Sequence, residues 1–143
     1  MDRESVNQYI FENYGVKPEA PWPKTPLHHV YRHKKNQKWF GIIMNIPRSK
    51  LGFFGEELID VMNVKCDSDM ILSLLDTKGY YPAYHMNKKH WISIVLNDEL
   101  PDTTVKNLID MSFRITEKKD FSNRSIILRI TVYLCRNCYL RTV

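Results

Sequence analysis

Residues 29–46 read HVYRHKKNQKWFGIIMNI, two runs rich in β-forming side chains that flank a polar, lysine-bearing stretch. Val30 and Tyr31 lie in the first run, and Trp39 begins the second. Aromatic and β-branched residues favour strands, and a short polar segment between two such runs is typical of a β-hairpin. The stretch therefore predicts two antiparallel strands joined by a basic loop.

A second hairpin is predicted further along the chain. Residues 80–85 and 91–96 are β-rich, and residues 86–89, Met-Asn-Lys-Lys, join them. Residues 57–66 alternate with the period of two that is typical of a strand, and one of its faces is somewhat more polar. Five strands are therefore expected, in groups of three and two.

Three segments have helical periodicity. The first covers residues 3–14 and stops at Gly15, the second follows a cap at Asp67 or Ser68, and the third starts at Pro101. The order α-βββ-α-ββ-α groups the strands instead of alternating them with helices. It predicts an α+β fold of two layers, with helices packed on an antiparallel sheet.

The composition fits one globular domain. The chain has 143 residues, of which 43% are hydrophobic and 26% charged. No uninterrupted apolar stretch is long enough for a signal core or a membrane span. Three cysteines are too few for a disulfide-stapled secreted domain. We expect a cytoplasmic protein without membrane partners, and its oligomeric state stays open.

The net charge of +5 is unevenly distributed. Residues 1–116 hold 15 basic and 14 acidic residues, whereas residues 117–143 hold 6 and 2. Between Glu19 and Glu56 the chain has no acidic residue but seven lysines and arginines. One strongly basic segment therefore lies within a nearly neutral domain.

The residues after 116 form a separate segment. We assign residues 1–116 to the α+β domain and residues 117–143 to a basic and apolar C-terminal extension. Within the extension, residues 126–135 alternate in polarity. This pattern predicts either an added edge strand that pairs or self-associates, or a poorly ordered tail with one apolar face.

The octet at residues 84–91, Tyr-His-Met-Asn-Lys-Lys-His-Trp, is the most specific motif of the chain. Val-Lys-Cys-Asp at 64–67 precedes it, and Leu-Ile-Asp-Met-Ser-Phe at 108–113 follows it. With the Trp39-Phe40 strand, these motifs resemble the MmcQ/YjbR family over roughly residues 1–115. The resemblance implies a two-layer fold shaped like secretion chaperones, often described as a double-wing DNA-binding arrangement. It also implies DNA binding, and one branch of the family is linked to mitomycin resistance.

The two basic hairpin tips are the candidate nucleic-acid contacts. Cationic side chains on projecting loops follow phosphates with little sequence preference, and the amides of Asn36, Gln37 and Asn87 suit base edges. The alternative is that lysine-rich turns are ordinary solvated surface. The candidate residues are Arg32, Lys34, Lys35, Lys38, Tyr84, His85, Asn87, Lys88, Lys89 and His90.

Aromatic residues interleave with these charges and suit stacking against unpaired bases. Large aromatics at strand starts usually anchor a sheet to its helices, so we assign Trp39 and Trp91 to packing. Tyr31 and Tyr84 are retained as surface contacts. Trp22, in a segment rich in proline, is expected to be an apolar anchor.

Two further motifs carry weak signals. In a regular hairpin His85 and His90 would face each other as metal ligands or as a pH-sensitive pair, although a hydrogen-bonded turn is favoured. Cys135 and Cys138 have the spacing of half a zinc site or a redox pair, but incidental thiols are the better interpretation.

No catalytic motif is present in the sequence. It has no glycine-rich phosphate loop, His-Glu-x-x-His motif, nucleophile elbow or dinucleotide fingerprint. We therefore expect a non-enzymatic binding protein without metal or cofactor, and DNA is the favoured partner. The alternative is a module that binds a small planar molecule or a polypeptide on the aromatic face of the sheet.

Overall fold

The elements follow the predicted order in the structure, a computed structural model that describes residues 1–97 and 99–117. A short 3-10 helix, Arg48–Leu51, follows the second strand. The helices are α1 (Arg3–Tyr14), α2 (Ser68–Leu75) and α3 (Asp102–Glu117). The strands are β1 (His29–Arg32), β2 (Trp39–Pro47), β3 (Leu58–Lys65), β4 (Tyr80–Pro82) and β5 (Trp91–Val95).

The five strands form one antiparallel sheet in the order β1-β2-β3-β5-β4. The central strand β3 pairs with β2 on one side and with β5 on the other. Each hairpin therefore occupies one side of the sheet. The predicted α+β class with an antiparallel sheet is confirmed.

All three helices pack on one face of the sheet. Their buried residues form one continuous core with residues of the central strands. Caps define the ends of α1: Asp2 accepts from the backbone N–H of Ser5 at 2.8 Å, and Gly15 at φ 64° donates to Phe11. The largest fully buried side chains of this core include Ile10, Tyr31, Phe40, Ile43, Met62, Ile92, Ile94, Leu108 and Ile109.

The opposite face of the sheet carries a smaller apolar cluster. Partly buried side chains from strand ends, loops and the 3-10 helix pack against it, among them Trp39, Leu51 and Tyr84. Among the described residues, this face is therefore shielded by short segments and not by α1, α2 or α3. The buried members are Val30, Ile42, Met44, Ile46 and Val61.

A β-bulge at Phe40 divides two neighbouring aromatics between the faces. Tyr31 pairs with Gly41 but Arg32 pairs with Trp39, so Phe40 is the extra residue. Phe40 packs into the core under the helices, whereas Trp39 packs against the cluster on the other face. The predicted anchoring role of Trp39 toward the helices is therefore wrong in direction.

Two other expectations differ from the structure. Strand β4 ends at Pro82 instead of residue 85, because proline has no N–H for the ladder and the Tyr84 N–H donates to the Ser93 hydroxyl. Tyr31 is fully buried and donates to the Asn7 side chain at 2.5 Å, so its retention as a surface contact is wrong.

Helix α3 ends at Glu117, which is the first residue of the assigned extension. The rest of the extension, residues 118–143, lies outside the described residues. Cys135 and Cys138 lie outside them as well. The domain boundary therefore stays a prediction. Within the described residues, no helix combines the length and the apolarity needed to cross a bilayer.

Candidate nucleic-acid interface

The two basic loops leave the sheet at the same end. Val64 of β3 pairs with Gly41 of β2 and with Ile92 of β5, so β3 ends where β2 and β5 begin. Loop A (residues 33–38) precedes β2, and loop B (residues 83–90) precedes β5. Three strand spacings separate the two hairpins, so the loop centres lie about 14 Å apart.

Loop A is a compact turn held by its own amides. The backbone N–H of His33 donates to Lys38 at 2.9 Å, and Gln37 has a left-handed φ of 60°. Asn36 Oδ1 accepts from the Lys38 backbone N–H at 2.9 Å, and Gln37 Nε2 donates to the carbonyl of Lys34 at 3.2 Å. These amides shape the turn, and their contact with base edges stays a prediction.

The loop is also fastened to the C-terminus of α3. Asn36 Nδ2 donates to the carbonyl oxygens of Thr116 and Glu117 at 3.1 and 3.3 Å. His33 is 3% exposed, and burial lowers the pKa of its imidazole. Its ring packs against those of Phe40 and Phe113, with centroids 5.0 and 4.2 Å away. Loop A therefore has a fixed position relative to the helical layer.

The lysines of loop A differ in their surroundings. Lys34, Lys35 and Lys38 are all exposed. The Lys34 ammonium stands 3.0 Å from the place that a Cβ of Gly15 would occupy, at the negative C-terminal end of α1. No carboxylate of the described residues forms an ion pair with Lys35 or Lys38. These two are the better placed for a polyanion.

Arg32 is already engaged by neighbouring groups. Its Nε lies 3.0 Å from Glu19 Oε2, and its guanidinium lies 5.4 Å from the ring centroid of Trp39. The side chain remains 30% exposed. Arg32 can therefore contact a phosphate, but in competition with Glu19.

Loop B is organised around Asn87. The Asn87 carbonyl accepts from the backbone N–H groups of His90 and Trp91 at 3.1 and 2.9 Å, and its Oδ1 accepts from Lys89 at 2.9 Å. This bonding leaves Lys88 and Lys89 exposed. No ion pair involves either lysine within the described part of the chain.

A buried polar pair fastens loop B to the sheet. Asn63 and Ser93 are both fully buried and hydrogen-bonded to each other. The Asn63 amide donates to the Tyr84 carbonyl at 2.9 Å, and the Tyr84 N–H donates to Ser93 Oγ at 3.0 Å. The partly buried Tyr84 thus starts loop B from a fixed point.

His85 and His90 are exposed and lie outside the strands. His85 has a φ of 54° and contacts the ring of Tyr84 edge-on at 4.0 Å. The His90 carbonyl accepts from the Cys66 N–H at 2.9 Å. The regular hairpin that would pair the two imidazoles is therefore absent. Within residues 1–97 and 99–117, no three His, Cys, Asp or Glu side chains form a metal-binding group.

Acidic residues also lie between the two loops. Strand β3 ends there with Lys65, and Asp67 then caps α2, followed by Asp69 in its first turn. The end of the sheet that carries loops A and B is therefore positive on both flanks and mixed in the middle.

Comparisons with known proteins identify the family. The YjbR family model matches residues 12–115. The chain belongs to the YjbR family. The Bacillus subtilis (strain 168) protein YyaQ, described as uncharacterized, is 41% identical to this YjbR-family chain over 117 residues. The match covers 82% of this chain and 99% of YyaQ.

Solved structures agree with this membership. A crystal structure of a Pseudomonas syringae protein matches with a TM-score of 0.79 and 40% identity, covering 81% of this chain and 99% of that one. A Deinococcus radiodurans protein matches with a TM-score of 0.64 at 16% identity, covering 91% and 88% of the two chains, which supports the fold alone. The expected family and fold are therefore confirmed.

Several residues that shape the site were not found from the sequence. Glu19, Asn63, Ser93 and Thr116 position or neutralise the loop residues, yet each lies far from its partner along the chain. The one available signal was the polar pair within otherwise apolar strands, since Asn63 and Ser93 interrupt runs of apolar residues.

Proposed function

We propose that this protein is a non-enzymatic nucleic-acid-binding protein whose loops A and B contact the phosphate backbone together. The observation that carries the proposal is the shared position, at one end of the sheet, of four exposed lysines that form no ion pair in the described part of the chain, two on each loop. Lys35, Lys38, Lys88 and Lys89 have no ion-pair partner among the described residues. A cytoplasmic location belongs to the same proposal.

The spacing and rigidity of the loops support this function. A separation of about 14 Å between loop centres, as strand spacing gives it, is short enough for one polyanion to contact both loops. Both loops are fastened to the core, loop A through Asn36 and loop B through Tyr84. Little loop ordering would therefore oppose binding.

A salt series tests the proposal. If four lysines neutralise phosphates, the logarithm of the binding constant should fall against the logarithm of salt concentration with a slope of about −3 to −4. Replacing all four with glutamine should abolish most binding and flatten the slope. Lys50→Gln with Lys78→Gln is the control for loss of positive charge elsewhere, because both lysines are exposed at the opposite end of the sheet.

The outcomes separate the proposal from its alternative. A quadruple variant that binds DNA and RNA as the unchanged protein does would contradict it, as would a control variant with the same loss. Absence of any binding at low salt would contradict it as well.

A second candidate, small-molecule binding, has its own structural basis. An open depression of about 440 Å³ is lined by residues 75–82, including Tyr80 and Tyr81, at the opposite end of the sheet from loops A and B. A planar aromatic compound that binds the folded state should raise the melting temperature. Stabilisation by such compounds that Tyr81→Ala removes, without any response to oligonucleotides, would favour this function.

A further inference from the structure

Cationic and aromatic side chains alternate along one row between loops A and B. Register pairs Arg32 with Trp39 and Lys65 with Trp91, so the row crosses β1, β2, β3 and β5 in turn. The Arg32 guanidinium lies 5.4 Å from the Trp39 ring centroid, and the Lys65 ammonium lies 5.9 Å from that of Trp91. Both distances are within the range of cation–π attraction.

The row lies on the face of the sheet that the helices leave uncovered. Trp39 packs against the cluster on that face, and Arg32 is its cross-strand partner. Lys65 lies four residues after Val61, which belongs to this cluster. Because the side chains of a strand alternate between faces, Lys65 lies on the same face as Val61. The row therefore faces away from α1, α2 and α3.

Trp22 extends the row with an accessible aromatic surface. Its ring meets that of Trp39 at 81° with centroids 5.8 Å apart, and it remains 37% exposed. Pro21 and Pro23 flank it and restrict the backbone on both sides. Trp91, at 8% exposure, instead supports Lys65. Trp22 and the partly buried Trp39 are thus the aromatics that a ligand can reach.

Accessible aromatic faces beside cationic loops discriminate between forms of nucleic acid. In a duplex the faces of the bases are stacked on one another, so such side chains find no partner without unstacking the helix. In a single strand each base can stack on an aromatic ring while cations follow the backbone. We infer that the protein binds single-stranded nucleic acid and stacks its bases on Trp22 and Trp39. This inference rests on the proposed function.

Glu19 should oppose this binding, so its substitution tests the inference in the opposite direction from that of Trp22. Its carboxylate lies 3.0 Å from Arg32 Nε, at the end of the row beside loop A. A strand that follows the row brings a phosphate toward Arg32 and therefore toward Glu19. Glu19→Gln should remove this repulsion, release Arg32 and strengthen binding.

The experiment compares three probes of equal length, about 12 nucleotides: oligothymidylate, an abasic strand with the same backbone, and a duplex. Oligothymidylate should bind most tightly. Trp22→Leu should weaken its binding about tenfold and leave binding of the abasic strand unchanged, because the abasic strand has no base to stack on the ring. Trp22→Phe should retain most of the affinity, and Glu19→Gln should raise it. Unchanged melting temperatures show that the variants fold.

Each outcome decides the matter. Equal affinity for oligothymidylate and the abasic strand, a preference for the duplex, or an unaltered Trp22→Leu variant would overturn the stacking inference. If binding in those cases still depends on the lysines of loops A and B, the proposed function is retained. If no probe binds, both fail.

Discussion

Nε2 of His33 lies 2.6 Å from the hydroxyl oxygen of Thr116, although 83 residues separate the two along the chain. Thr116 donates its own hydroxyl hydrogen to the Ser112 carbonyl at 2.7 Å, so the imidazole donates from Nε2. This contact joins loop A to the last turn of α3. It also buries a group that titrates near neutral pH.

Mild acid should therefore destabilise the fold. Burial lowers the pKa of His33 below 6.5, with Glu117 and Lys38 as the charged neighbours, so the unfolded chain takes up a proton first as pH falls through 6.5. Urea midpoints should be lower at about pH 5.5 than at about pH 7.5, and His33→Gln should narrow the difference.

A residual pH effect is expected in that variant, because burial and the adjacent Arg3 also lower the pKa of His29. His90→Gln is the matched control, since His90 is exposed in the folded chain. Equal pH sensitivity of His33→Gln and the unchanged protein would contradict the prediction.

The ion pair between α1 and β3 should contribute more to stability than an exposed pair does. Arg3 donates to Asp60 from Nε at 2.9 Å and from Nη2 at 2.6 Å, and both side chains are largely buried. Arg3→Met should lower the free energy of unfolding by about 2 kcal/mol, since it leaves a shielded carboxylate without its cation.

Arg48→Met provides the comparison, because the pair of Arg48 with Glu57 is more exposed and should contribute below about 1 kcal/mol. Hydrogen bonding from Arg3 lowers the pKa of Asp60, so this contribution is present above pH 3.8 and is lost as pH falls through the folded value. Equal losses of unfolding free energy in Arg3→Met and Arg48→Met, measured by urea denaturation, would refute this ranking of the two ion pairs.

Two phenols share the carboxylate of Asp110. Tyr9 donates to it at 2.8 Å, and Tyr14 donates to the same oxygen. Burial and then Asp110 raise the pKa of Tyr9 to about 12 and raise that of Tyr14 as well. Asp110→Asn removes the negative charge, so phenolate absorbance should appear at lower pH, although burial keeps both values above the usual one.

Tyr81 serves as an internal reference in that titration. Burial and its hydrogen bond with Glu99 raise its pKa to about 12, and Asp110 is not among the causes. Its titration should be unchanged in the variant, with circular dichroism to confirm folding at each pH. A phenolate curve that does not move would exclude the role of Asp110.

Ser93→Ala should loosen loop B. The substitution leaves Asn63 Oδ1 and the Tyr84 N–H without their partner, and an unsatisfied buried polar group costs about 1–3 kcal/mol. Hydrogen exchange should accelerate in residues 83–90 and not in loop A. Ser73→Ala, on the exposed side of α2, is the control and should alter neither stability nor exchange. Unchanged exchange in loop B would contradict this role for Ser93.

Local patterns were sufficient for most of the fold. Periods of two and of 3.6 residues predicted the three α-helices and the five strands but not the short 3-10 helix, and Gly15 and Asp67 marked helix ends correctly, because these signals act between near neighbours. The bulge at Phe40 and the early end of β4 were missed. Both depend on cross-strand bonding, which a single strand does not reveal.

The candidate site was predictable in part for the same reason. Exposed lysines in short polar turns follow from local sequence. The hydrogen bond from the Asn36 side chain to α3, in contrast, joins residues that are 80 positions apart. The meeting of Trp22 with Trp39 is likewise tertiary. Residue type therefore predicted the charge of the loops, but it did not predict which of their side chains are occupied by tertiary contacts.

The central position of β3 separates the hairpins that carry the two loops. Because loops A and B each close their own hairpin on opposite sides of that strand, a substitution in the exposed part of one loop leaves the register of the other hairpin intact. The exposed parts of the two loops can therefore change independently of each other without a change in the pairing of the sheet.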